Sequence, residues 1–157
     1  MRKQNQGITD RNVIEGILSE SEICRMAIMD NGKPYIVPLN YGYKNNAIYM
    51  HSAPAGKKIE LLRKNNQVCF EIEHKVKIIK SDDPCKWSTM YRSVVGYGDV
   101  EIITDHEQKK MGLDIIMAHH GKHGGNQYEE RLMDLLVILK LNITEMTGKQ
   151  SEHWIED

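Results

Sequence analysis

Hydrophobic and polar positions along this chain follow two periods, and the switches between them mark out short elements. From Thr9 to Ser19, the residues Val13, Ile14, Ile17 and Leu18 recur at helical spacing behind Thr9-Asp10, a pair suited to capping a helix start. The run Ile23 to Met29 is rich in strand formers and meets Asp30-Asn31-Gly32-Lys33, where Asn-Gly supplies the positive φ angles of a tight hairpin. The return strand is Tyr35 to Tyr43. Pro38 within it has no amide to donate, which predicts an edge or a bulge with backbone groups left free. After the turn Lys44-Asn45-Asn46, the sequence reads as a strand from Ala47 to His51, a loop from Ser52 to Gly56, and a short helix from Lys57 to Lys64.

In the second half, Val68, Phe70 and Ile72 alternate with Cys69, Glu71 and Glu73, the period of a half-exposed strand. Ser81-Asp82-Asp83-Pro84 breaks the pattern, and Tyr91 to Ile103 resumes it with Gly96 and Gly98 as bends. Thr104-Asp105-His106-Glu107 has the form of a capping box and predicts a helix to about His119. A glycine-rich loop, Gly121 to Asn126, leads to a short helical piece around Tyr128 to Met133, and Leu139, Leu141 and Ile143 then alternate with polar residues in a last strand. No linker, repeat or low-complexity tract interrupts the 157 residues, so they read as one domain of about six strands and three helices. Hairpins rather than crossover helices join the strands, which predicts a mainly β protein built as an antiparallel barrel.

Composition narrows the function classes. Hydrophobic residues at 40% and charged residues at 27% are the balance of a folded soluble domain. With 21 basic against 22 acidic residues and no long run of one sign, the concentrated basic surface needed to grip nucleic acid is missing. The opening Met-Arg-Lys-Gln-Asn-Gln lacks the apolar stretch of a secretory signal, and the longest apolar run, Leu135 to Leu139, is too short to cross a bilayer. A cytoplasmic location is the expectation, with neither nucleic acid nor membrane as a partner. Cys24, Cys69 and Cys85 are odd in number and widely spaced, which predicts buried free thiols rather than disulfides or a zinc site.

The most informative stretch runs from Ala47 to Leu62: strand, short loop, two lysines, helix. Helix starts carry unpaired amide donors and the positive dipole end, so Ser52, Lys57 and Lys58 form a candidate phosphate seat. The alternative is that both lysines are ordinary solvated charges on an exposed first turn. Cations at that end oppose the dipole, which is itself a reason to expect an anion there.

These segments resemble a known family. Arg25-Met-Ala-Ile-Met-Asp30, Val37-Pro-Leu-Asn-Tyr-Gly-Tyr43, His51-Ser52 and Gly56-Lys-Lys-Ile59 look like the flavin-binding half of pyridoxamine-phosphate-oxidase-like proteins. Pro84-Cys-Lys-Trp-Ser88 with Tyr91-Arg-Ser-Val-Val-Gly-Tyr-Gly98 is similar to their nitroimidazole-resistance branch. The resemblance implies a six-stranded split barrel that dimerises and holds one FMN at each of two sites between subunits. It also implies Arg25, Lys57 and Lys58 on the phosphate with Ser52 helping, and His51 near the ribityl chain. Pro38, Leu39 and Asn40 would run beside the isoalloxazine ring, with Arg92 and Ser93 approaching from the partner subunit. The end of the sequence, with Glu152-His-Trp-Ile155, differs from the basic substrate-binding tail of the name-giving oxidases, so pyridoxamine phosphate is not the expected substrate.

Two functions follow from the resemblance. One is an FMN-dependent oxidoreductase that reduces a small planar acceptor such as a nitroimidazole. The other is a non-enzymatic protein that binds or stores flavin or haem. No Gly-x-Gly-x-x-Gly fingerprint marks a nicotinamide site. His119 and His123 stand four apart, a spacing open to metal ligation, but Gly121 interrupts the helix and an exposed loop is the competing reading. Trp87 and Trp154 are open between core and interface roles, and the nine methionines read as irregular core filling.

Overall fold

The computed structural model describes residues 6–152 and Trp154. The opening five residues, and His153 and positions 155–157 of the acidic tail, lie outside the described residues. The chain forms β1 (Gly7–Ile8), α1 (Arg11–Glu20), β2 (Ile23–Asp30), β3 (Lys33–Asn40), β4 (Gly42–Lys44), β5 (Ala47–Ser52) and α2 (Lys57–Lys64). Then come β6 (Gln67–Ile79), a 3₁₀ turn (Pro84–Lys86), β7 (Ser88–Ile103), α3 (His106–His119), α4 (Glu130–Met133) and β8 (Val137–Gln150).

All strands pair antiparallel in one sheet, ordered β3-β2-β6-β7-β8-β5-β4, with β1 against the far end of β8. β3 starts this path, yet it touches β5 near the other end, so the sheet curls almost closed without a ladder across the seam. This is the split barrel. Met26, Ile28, Met50, Phe70, Ile72, Val94, Leu139 and Leu141 point inward from successive strands, and α1 closes one end with Ile14, Ile17 and Leu18. Each fully buried side chain of this kind contributes about 1.5–3 kcal/mol relative to exposure, which is why the period-two strands commit to one face.

Turn chemistry sets the hairpins. Asn31 and Gly32 take φ of 49° and 82°, and Asn45 and Asn46 take 52° and 59°, the paired positive angles that a right-twisted two-residue hairpin requires. The predicted strand Tyr35 to Tyr43 divides at Tyr41, whose ring is fully buried and whose hydroxyl donates to the Leu18 carbonyl at 2.7 Å. That inward turn produces β4, and with the two-residue β1 it raises the strand count from about six to eight. The helix after Thr104 begins one residue later than predicted. Asp105 is the cap, accepting from the Gln108 amide at 3.0 Å, because its carboxylate reaches that donor and suits the positive helix end. Gly98 lies where β7 and β8 slip register, and a side chain there would meet the Asn142 carbonyl oxygen at 2.2 Å. No helix among the described residues is long and apolar enough to cross a membrane.

Candidate functional site

β5 delivers the chain to the first of two polar clusters. It ends at buried Ser52, whose hydroxyl donates to the Ala53 carbonyl at 3.0 Å, and the loop returns at Gly56 with φ of 107°. Gly56 is the N-cap of α2 and has no side chain to offer, so no side chain satisfies the first amides of the helix. Ile59, Leu61 and Leu62 bury one face of α2, which fixes where its first turn points. Lys57 is exposed. Its Nζ lies 2.8 Å from Asp30 Oδ2 and 4.7 Å from the centre of the Tyr35 ring, and the Asp30 contact raises its pKa. Lys58 is half-buried, burial pushes its pKa down, and among the described residues no carboxylate pairs with it. An ammonium that is partly desolvated at the positive end of a helix gains most from an arriving anion.

The second cluster surrounds Arg25, on the outer face of β2 opposite Pro38 and Glu71. Its Nη1 contacts Glu71 Oε2 at 3.1 Å and Glu73 Oε2 at 3.2 Å. Burial, then the neighbouring Glu73, raise the Glu71 pKa against the opposing pull of Arg25. Ser93 lies opposite Glu73 in the ladder, and Arg92 opposite His74. Arg92 Nε donates to Gln150 Oε1 at 3.0 Å, and its guanidinium stands 4.2 Å from the centre of the Trp154 ring. Trp154 therefore packs on its own chain.

The structure does not bring Arg25 to Lys57 and Lys58. Asp30, which holds Lys57, is five residues along β2 from Arg25, roughly 16 Å at the rise of an extended strand. β3 is an edge strand among the described residues, with Pro38 and Asn40 exposed, whereas alternation turns Leu39 toward the core. His51 is exposed opposite Ile138, on the strand that leads to the α2 start.

Between the clusters lies a groove of about 560 Å³ on the outer sheet face, with Ala27, Met29, Cys69 and Tyr97 among its lining residues. Its rim at Met29 and Pro34 is one residue from Asp30 and Tyr35, the two groups that Lys57 touches. Its size and mainly apolar lining, with Asn65, Gln67, Asp99, Thr144 and Glu145 as the polar groups, suit a flat ligand. Sequence reasoning missed Asp30, Tyr35, Glu71 and Glu73 as partners. Their types were visible, but the pairing of β2 with β6 that aligns Arg25 with Glu71 is non-local.

Other expectations need correction. His119 closes α3 where the predicted helix ends, but it is half-buried rather than exposed. It accepts from the Tyr43 amide at Nδ1 over 3.3 Å and faces the Ser21 carbonyl with Nε2 over 2.7 Å, a pattern that requires the neutral Nε2–H form. Burial pushes its pKa down accordingly. Among the described residues no three His, Cys, Asp or Glu side chains are grouped to hold a metal. Of the cysteines only Cys24 is buried, its thiol pushed up to about 12 by burial, while Cys69 is half-exposed in the groove and Cys85 is exposed.

Comparison with known proteins places this geometry. The family model described as pyridoxamine 5'-phosphate oxidase matches residues 10–150. A crystal structure of a candidate 5-nitroimidazole antibiotic resistance protein from Bacteroides thetaiotaomicron is similar at 37% identity, with a TM-score of 0.81, over 92% of this chain and 86% of that one. The flavocytochrome Anf3 from Azotobacter vinelandii is similar at a TM-score of 0.79 over 99% of this chain and 75% of that one, at 18% identity, which speaks for the fold alone. An uncharacterised Rhizobium meliloti protein, RA0666, is 32% identical over 65 residues, covering 41% of this chain and 42% of that protein. The chain thus spans less than half the length of that curated relative.

Proposed function

The chain belongs to the pyridoxamine 5'-phosphate oxidase family, and on that premise we propose that it is an FMN-binding flavoprotein, active as an oxidoreductase on a small planar acceptor such as a nitroimidazole. The observation that carries the cofactor reading is Lys58, a half-buried cation with no carboxylate partner among the described residues, at a helix start that no side chain caps. Lys58, Lys57 and Ser52 with the first amides of α2 hold the phosphate, and His51 lies beside the ribityl chain. Arg25 is too distant along β2 for that phosphate in the same chain, so with Pro38, Leu39 and Asn40 it belongs to the ring end of the site. A bound flavin supplies the redox chemistry, while the protein contributes position and electrostatics. The groove shields one side of a flat ligand and leaves the other open to an acceptor.

The acceptor is neutral or weakly charged. A phosphorylated substrate needs its own cationic cluster, and Arg25 already spends its charge on Glu71 and Glu73. The 37% identical relative supports a nitroaromatic acceptor. The assembly is a homodimer with the flavin between subunits and with Arg92 and Ser93 reaching the partner's site. Supporting this, Met29, Ile36, Val95 and Tyr97 leave an apolar strip exposed on the outer sheet face. Self-complementary two-fold pairing is the commonest way to cover such a face.

The test is anaerobic. FMN-loaded protein bleached by NADPH should recover its colour on addition of a nitroimidazole, in repeated cycles. Stable FMN binding without reoxidation by any nitroaromatic would leave a flavin carrier and overturn the enzymatic reading.

A further inference from the structure

The longest excursion from the barrel is the ribbon formed by the ends of β6 and β7. β2 leaves β6 at Glu71, and β8 reaches β7 only from Arg92 onward, so the ladder over residues 77–90 joins the ribbon's two strands to each other alone, with Tyr91 tied to Ser151 at its base. A bulge between His74 and Lys77, with Lys75 at φ of 48°, bends the ribbon where it leaves the body. From Lys75 to Ser93 no residue is buried, whereas Val94, the next one, is fully buried. Val76 and Ile78 lie on one face of the ribbon and are each 53% exposed, and Trp87 is 51% exposed with its ring fixed by donation to the Ser81 carbonyl at 2.6 Å. A two-stranded hairpin with no buried side chain is marginal alone, so this arm is an incomplete structure in one copy.

Charge indicates what completes it. The arm carries Lys75, Lys77, Lys80 and Lys86 against Asp82 and Asp83. The outer sheet face has the opposite excess, with Glu71, Glu73, Asp99 and Glu145 against Arg25 and Lys149, around the exposed Ile36, Val95 and Tyr97. The arm cannot lie on that face in its own chain, because its strands are the continuation of the sheet itself. We propose that the arm, residues 75–91, crosses to a second copy of this chain and packs Val76, Ile78 and Trp87 on that copy's outer sheet face, its lysines over the acidic rim. The inference rests on the homodimer reading above and names the element that carries the dimer.

The experiment uses the full-length protein in light scattering across a dilution series, beside Val76→Asp/Ile78→Asp. These side chains are not buried in one copy, so the variant should keep the far-ultraviolet circular dichroism of the parent and still melt cooperatively, at a temperature lowered only by the lost association. The parent should measure twice 18.1 kDa, and the variant should dissociate at least about a hundredfold more readily. A photo-cross-linking residue at Ile78 should join two chains, with the junction in the peptides holding Ile36, Val95 or Tyr97. A parent of 18.1 kDa at every concentration would defeat the homodimer reading and the arm with it. A dimeric parent with an equally dimeric variant would defeat the arm alone. Cross-links confined to the parent's own chain, or formed only to anionic vesicles, would also overturn it, the latter assigning the basic, apolar arm to a lipid surface.

Discussion

Lys57 and Lys58 are adjacent in sequence, yet the structure gives them unequal roles in holding a phosphate. Lys58 is half-buried and has no carboxylate partner among the described residues, so an arriving phosphate displaces none of them. A hydrogen bond to a charged group contributes about 1.5–3 kcal/mol net, and partial exposure keeps the value from rising further. Replacing Lys58 by Met preserves most of the stem packing and should weaken FMN binding about 10- to 100-fold. Lys57 must first give up its 2.8 Å contact with Asp30, so Lys57→Met should cost less than tenfold. Asp30→Asn releases Lys57 and removes a negative charge near the phosphate, and should tighten FMN by roughly two- to fivefold. Isothermal titration of cofactor-free protein with FMN reads all three. Riboflavin, which lacks the phosphate, is the control and should bind the parent and Lys58→Met equally, within about twofold. A larger loss at Lys57 than at Lys58, or weaker binding in Asp30→Asn, would refute the placement.

Three further outcomes are expected from the scaffold. Tyr41→Phe leaves the buried Leu18 carbonyl without its 2.7 Å donor and should destabilise the fold by about 1–3 kcal/mol in chemical denaturation. Gly98→Ala drives a Cβ into the Asn142 carbonyl oxygen at 2.2 Å, a backbone contact that cannot swing away, and should cost about 1–3 kcal/mol or more by the same measurement. His119 and His74 both have pKa values lowered by burial in the fold, so the unfolded chain takes up their protons first. Their contribution to stability is complete above about pH 6.5 and is lost as pH falls through their folded values. Melting temperature should therefore decline with acidification below that point. His119→Gln, which can both donate and accept, should flatten the decline, and an unchanged slope would remove His119 from the account.

Local chemistry was legible in the sequence wherever a short pattern decides the outcome. Asn31-Gly32 and Asn45-Asn46 made their turns, Val68, Phe70 and Ile72 went inward, and Lys57 began its helix where expected. Pro38 marked an edge strand. What stayed hidden depends on strands distant in sequence. Arg25 reads as a free cation until β6 lays Glu71 and Glu73 beside it, and Lys57 until the end of β2 presents Asp30. The pattern around Gly121 shows that α3 stops at His119, without showing that Tyr43 and Ser21 meet its last turn. The arm was read as a break at Ser81 to Pro84, since apolar residues such as Val76 and Ile78 cannot announce that the ribbon leaves them exposed.

The most direct measurement is the absorption spectrum of the purified protein before and after equilibration with FMN and removal of unbound cofactor. Flavin bands at one FMN per chain are expected in the parent, with their loss under the same conditions in Lys57→Ala/Lys58→Ala and the fold intact. A haem Soret band in place of flavin, or full FMN occupancy in the double variant, would contradict the FMN assignment.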